Sequence, residues 1–468
     1  MNNVLDLFDQ TVFVGERATG ATNLLQVVWV YNRAIDIDGL RRFHDQLQRG
    51  RLSRRIERSP LPFGRHRWVS PSGQSELEIA AAPRPREEFD AWLTGQANTL
   101  LDAEHGPGWH LAVLPFTDGG AGVSLVISHC LTDGVGLCEA LADAASGRHD
   151  PVTWPAAGSR RRRQALREDA RQTVRDMPAI GHAVAGAARF AGRNNGADAS
   201  ATQPLTVPPV PPAEADKVVT LPTATVFLDA DEWDARADAL GGTANTLLAG
   251  VAARLARRVG RLAADGSVAL TLPVSERIPG DTRANAITNI DITVDPAPAV
   301  TDLRDIRAAI KQALIRSKDV LNERWAVLPI VPLLPQWLVR RCVGFSAGSA
   351  ASVVSSNLGV VNPAAYRPDG TGADQFVMRT LGPGVTKAIM HRLGGLLVVL
   401  SGRTQGRVFV SVLSYQPGRP TSNDGLRRDL SAALSDFLLA ATTGWGSNNL
   451  ADAIAGQSDA PELCDLTT

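Results

Sequence analysis

The stretch AGVSLVISHCLTDGVGLCEAL, residues 121–141, decides how the rest of the chain is read. A β-branched apolar run from Ala121 leads into Ser128-His129. Strand alternation puts His129 on the face of Val123, Leu125 and Ile127. Cys130-Leu131-Thr132 then makes a short loop, and Asp133-Gly134 opens a segment with helical spacing. A neutral imidazole takes a proton from an alcohol or amine near neutral pH. A lone histidine here reads as a core or loop residue, and Asp-Gly alone as a turn. The coincidence of strand, histidine, three-residue spacer, Asp-Gly and small-residue helix points to base chemistry.

Upstream, Trp109–Leu114 is strand-like, and Asp118-Gly119-Gly120 is a hairpin turn into the histidine strand, which sets His129 at the far end of a sheet. Residues 23–31 and the neighbourhood of His66 and Trp68 also read as strands, and 87–103 as a helix. Leu40, Phe43, His44 and Leu47 are spaced for a helix behind an acidic start at Asp36.

The chain has 468 residues, enough for two or three domains, with 44% hydrophobic and 21% charged residues. Its 48 basic and 48 acidic side chains cancel, which speaks against nucleic-acid binding by global charge. Cys130, Cys138, Cys342 and Cys464 are too scattered for a disulfide scaffold, and no zinc spacing occurs, so no metal is expected. A cytoplasmic location is expected, from the cysteine usage and the lack of a basic-then-apolar leader.

Composition changes at 159–216. Arg160 to Arg163 are followed by Arg167, Arg171 and Arg175 at four-residue spacing, on one helical face. Pro178 interrupts this helix, and Pro204, Pro208, Pro209, Pro211 and Pro212 mark an extended linker. The arginines read as a solvated face, or as a docking surface for a membrane, a carrier protein or CoA phosphates. Residues 1–158 are expected to form an N-terminal lobe, 217–446 a C-terminal lobe and 447–468 a flexible tail. In the second half, 218–221, 225–228, 268–275, 351–359, 395–401 and 407–415 read as strands. Thr243 caps a long helix, 302–321 is helical, and 423–441 is a closing amphipathic helix.

Ser128-His129-(three residues)-Asp133-Gly134 resembles the HHxxxDG motif of the CoA-dependent acyltransferase superfamily, with Ser128 in place of the first histidine. That superfamily includes chloramphenicol acetyltransferase, BAHD acyltransferases, condensation domains, wax-ester/diacylglycerol acyltransferases and polyketide-associated acyltransferases. Leu270–Arg277 followed by Asn285 is similar to the PVxxR…GN region of the last two branches. Gly242–Leu248 resembles their preceding helix start, and Ser355-Ser356-Asn357-Leu358-Gly359 their SN-x-G strand. These segments cover roughly residues 120–360.

The resemblance implies an α/β fold of two chloramphenicol acetyltransferase-like lobes, each a mixed sheet flanked by helices, with a channel between them. It implies acyl transfer from an acyl-CoA or acyl-carrier thioester to a small alcohol or amine, with no permanently bound cofactor and no acyl-enzyme. His129 would be the general base. Asp133 would pair with an arginine, for which Arg277 is the candidate, and Gly134 would allow a tight turn. Ser128, Asn285, Ser355, Ser356 and Asn357 are candidates for oxyanion or substrate contacts. Cys130 matches a variable motif position and reads as structural, as does Cys138. The role of His391 is open. Two alternatives stand beside this reading: a non-catalytic carrier- or lipid-binding protein, and a thioester hydrolase. Peripheral membrane contact through Arg160–Arg175 is a further expectation.

Overall fold

The computed structural model describes residues 3–71, 75–148, 153–194, 210–319, 328–342, 352–420 and 422–446. Pro204, Pro208, Pro209, Cys464 and the tail expected at 447–468 lie outside the described residues.

The strands are β1 (Leu24–Tyr31), β2 (Arg55–Glu57), β3 (Arg67–Val69), β4 (Leu77–Ile79), β5 (Trp109–Pro115), β6 (Ala121–Ser128) and β7 (Thr223–Asp229). They continue as β8 (Val268–Ser275), β9 (Ile287–Val294), β10 (Val353–Val360), β11 (Gln375–Leu381), β12 (Leu396–Thr404), β13 (Arg407–Tyr415) and β14 (Thr442–Thr443). The helices used below are α1 (Leu7–Thr19), α2 (Ile37–Arg49), α3 (Phe89–Gln96), α4 (Gly134–Ala145), α5 (Arg162–Asn194), α6 (Ala230–Ala239), α7 (Ala244–Arg258) and α8 (Arg304–Asp319).

Two mixed sheets carry the architecture. One has the order β11-β1-β6-β5-β4, with β4 parallel to β5 and the other neighbours antiparallel. The other runs β14-β7-β13-β12-β10-β8-β9, with β10 parallel to both β12 and β8. Every residue of β1 and β6 is buried, because these central strands are covered on both faces. Gln26 of β1 lies opposite Arg379 of β11, and its Oε1 accepts from Arg379 Nε and Nη2 at 3.1 and 2.8 Å. That exchange satisfies two polar side chains inside an apolar sheet. Strand β11 thus brings a piece of the second half of the chain into the first sheet.

Several elements differ from the sequence expectations. The helix expected over 87–103 is regular only from Phe89 to Gln96. Beyond it Asn98 Nδ2 donates to the Thr94 carbonyl at 3.1 Å, a side-chain bond that competes with continued helix. Pro178 does not end α5, which runs through it at the loss of one backbone donor. The helix is docked on the first half of the chain: Asp169 is fully buried and accepts from Arg67, Arg160 and Ser59. Its acids face the lobe, and Arg167, Arg171 and Arg175 face outward. The closing helix stops at Ser435, and Leu438 adopts a left-handed backbone at φ 57°. Residues 218–221 make only an isolated bridge, Val218 to Thr386.

Candidate active site

Strand β6 ends at Ser128, and His129 is the first residue of the turn that follows. The turn closes with Leu131 N–H donating to the Ser128 carbonyl at 3.0 Å. Asp133 then caps α4, its Oδ1 accepting from Gly136 N–H at 2.7 Å. His129 is half-buried and its main chain is held from two sides. Its N–H donates to the Asn23 carbonyl at 2.9 Å, and its carbonyl accepts from Asn285 Nδ2 at 3.1 Å. Burial lowers the imidazole pKa, against the opposing pull of Asp133, the ring's own carbonyl and the Asn285 side chain.

Asp133 is buried, and both of its oxygens are engaged. Oδ2 accepts from Arg277 Nη2 at 2.6 Å and from Ala286 N–H at 2.8 Å. The ion pair is single-pronged, because Oδ1 already caps the helix. Arg277 Nη2 also donates to the Ala284 carbonyl at 2.9 Å, so the pair ties α4 to the segment after β8. The guanidinium lies against Gly136, where a Cβ would come within 2.7 Å of Nη2. Gly134 has ordinary helical placement, and what it permits is close approach rather than a special turn. A Cβ there would meet Leu358 Cδ2 of β10 at 2.7 Å.

Asn285 is buried and both of its side-chain N–H groups are used, one on Asp9 Oδ1 at 3.1 Å and one on the His129 carbonyl. It therefore has no free donor for a developing oxyanion. On β10, alternation separates the remaining candidates. Ser355 shares the inward face of Val353, is buried, and its Oγ has no hydrogen-bond partner among the described residues. Asn357 lies on that same side and bonds Asn245 at the start of α7. Ser356 shares the face of Leu358, the side chain that reaches Gly134. Ser128 is buried, and its Oγ accepts from Cys130 N–H at 3.2 Å. Burial first, then the neighbouring Glu16, raise the Cys130 thiol pKa well above its ordinary value, which removes it as a ready nucleophile. Burial pushes the Cys138 thiol up to about 12. His391 sits in a short helix, Lys387–Arg392, of the second half.

Three side chains around the turn carry no motif. Asp9 of α1 is fully buried, and accepts from the Ala284 and Asn285 N–H groups at 2.8 Å each. Burial raises its pKa to about 6, against Arg54 and these hydrogen bonds. Glu16, two turns along the same helix face, accepts from Asn23 N–H at 3.0 Å. Burial raises its pKa to about 7. Arg54 lies 3.9 Å over the Trp68 ring and donates to the Leu131 carbonyl at 3.0 Å. The signal that could have found α1 is its spacing: Asp9, Phe13 and Glu16 fall on one face, and two acids beside a buried Phe are out of place on a core-facing stripe.

No known protein family description matches the chain, and no curated protein matches it. Solved structures do. A nonribosomal peptide synthetase matches at 19% identity and TM-score 0.53 over 93% of this chain, which spans only 42% of that protein's length. The starter condensation domain of rhizomide synthetase, in complex with C8-CoA, matches at 14% identity and TM-score 0.51, over 96% of this chain and 98% of that one. The wax ester synthase/diacylglycerol acyltransferase of Marinobacter aquaeolei VT8 matches at 16% identity and TM-score 0.53, over 93% and 100%. The chain therefore has the two-lobed α/β fold shared by condensation domains and wax ester synthase/diacylglycerol acyltransferases.

Proposed function

We propose that this protein transfers an acyl group from an acyl-CoA or acyl-carrier thioester to a hydroxyl or amine, with His129 as the general base. The observation that carries the reading is a half-buried imidazole whose main chain is hydrogen-bonded on both sides, at the end of a buried strand and beside the Asp133–Arg277 pair. A base whose main chain is held this way has a fixed place beside its substrate. The neutral imidazole takes the proton of the acceptor O–H or N–H as the heteroatom attacks the thioester carbonyl. The tetrahedral intermediate then collapses, the C–S bond breaks, and the imidazolium returns its proton to the leaving thiolate. Ester or amide and free thiol are the products, and no acyl-enzyme forms.

Asp133 and Arg277 act on the turn rather than on the substrate, since the carboxylate is filled by Arg277, Gly136 and Ala286. Asn285 holds the His129 carbonyl in the same way. Ser356, on the β10 face nearest Gly134, is the side chain we assign to the oxyanion. Fold likeness to a C8-CoA complex and to a wax ester synthase/diacylglycerol acyltransferase supports a thioester donor.

The test is thiol release from a panel of acyl-CoAs with alcohols or amines present, for the protein and for its His129→Ala variant. Loss of release in the variant is expected. Equal release from both removes His129 from the mechanism. Release that does not depend on any acceptor identifies hydrolysis instead.

A further inference from the structure

We propose that Glu16 is a positioning residue for His129, acting through the main chain of Asn23. In its kinetic consequence the inference rests on the acyl-transfer reading; in its geometry it does not. Glu16 Oε1 accepts the Asn23 N–H at 3.0 Å, and the Asn23 carbonyl accepts the His129 N–H at 2.9 Å. The side chains of Ser128 and Cys130, on either side of the histidine, lower the pKa of the same carboxylate against its burial. One group therefore reaches the main chain that holds the base and faces both of its neighbours.

The chemistry calls for an acceptor with more than one oxygen. Ser128 Oγ already accepts the Cys130 N–H at 3.2 Å, so its own O–H must find an acceptor elsewhere. The Asn23 N–H already donates to Glu16, and the Cys130 thiol is a further donor beside it. A carboxylate offers about four lone-pair sites, which leaves room for more than one donor. Glu16 is itself fixed near the C-terminal end of α1, where its carbonyl accepts the Gly20 N–H at 2.8 Å. Asp9, on the same helix face, holds the other side of the histidine through Asn285, so α1 braces both ends of the residue.

The experiment uses the full chain with histidine-selective isotope labelling. The His129 ring signals are assigned with His129→Ala and followed in Glu16→Ala, Glu16→Asp and Glu16→Gln, alongside kcat and KM for thiol release. Removal of the side chain in Glu16→Ala is expected to shift the His129 ring signals and lower kcat about 10- to 100-fold with KM within about twofold, the pattern of a misplaced reacting group. Glu16→Gln keeps an oxygen for Asn23 and should restore most of both. If Glu16→Ala does not fold, Glu16→Asp serves, because it keeps the carboxylate but falls short of Asn23. Unmoved ring signals in the folded Ala or Asp variant overturn the proposal. So does a rise in KM at constant kcat. If the unaltered protein releases no thiol from any donor, the acyl-transfer reading falls, and the ring signals still decide the role of Glu16.

Discussion

As the proposed base, His129 would owe its reactivity to what it is denied. Burial removes water from the imidazole and favours its neutral form, so it keeps its acceptor lone pair to lower pH than a free histidine. The acid limb of kcat/KM against pH is therefore expected below the ordinary imidazole value of 6.5. A limb at or above that value means that another group controls the rate. Arg277 carries a different prediction. It neutralises a buried carboxylate, and Arg277→Ala leaves Asp133 without its cation. The expected loss is roughly 3–5 kcal/mol, read from urea unfolding. Asp133→Asn/Arg277→Ala together should lose less than the two single changes summed. The histidine, the aspartate and the arginine were legible because a motif spaces them. Asn285 was visible as a candidate, but not the use of both its N–H groups, because hydrogen-bond partners across 156 positions leave no local trace.

Elements meet at the site through glycines. Helix α4 begins at Gly134, directly under Leu358 of β10, and Gly134→Ala drives a methyl into that side chain. Overpacking of this kind is expected to cost about 1–3 kcal/mol, measured as a fall in the unfolding midpoint. Adding Leu358→Ala should return part of that loss, and no recovery would show that the contact is not the cause. At this scale the hairpin leading to His129 was readable, because Asp118-Gly119-Gly120 announces its turn and both strands are apolar. Strand β11 was not. Its sequence QFVMRTL carries a glutamine and an arginine, and Arg379 is accommodated inside by Gln26 opposite and by Asp90 at 3.7 Å. Helix α1 was missed for a related reason: Asp9 and Glu16 look like surface residues until the donors of Asn285 and Asn23 are brought to them.

In the whole molecule, the two sheets are not independent halves of the chain. The core around the first sheet includes Phe227, Leu400, Phe409 and Trp445 from the second half, with Trp445 edge-on to both Phe89 and Phe227. Residues 1–158 expressed alone should be insoluble or aggregate, since β1 would show an unpaired edge in which every residue is normally buried. A soluble, monomeric fragment with native-like strand content would contradict this. The sequence division at 158 follows composition, which changes where α5 begins, whereas sheet membership follows hydrogen bonding and reaches back across that division.

The Gln26–Arg379 pair joins residues 353 positions apart, and it gives the protein a timetable. On a ribosome, β1 and β6 emerge early and can pair, but their sheet lacks an edge until β11 has been made. For most of synthesis the growing chain holds a half-finished sheet with an adhesive border. Contacts this distant form slowly and prolong the period in which a nascent strand can find the wrong partner. The arrangement that brings side chains of the second half into the first core also leaves β1 an open edge until β11 joins it.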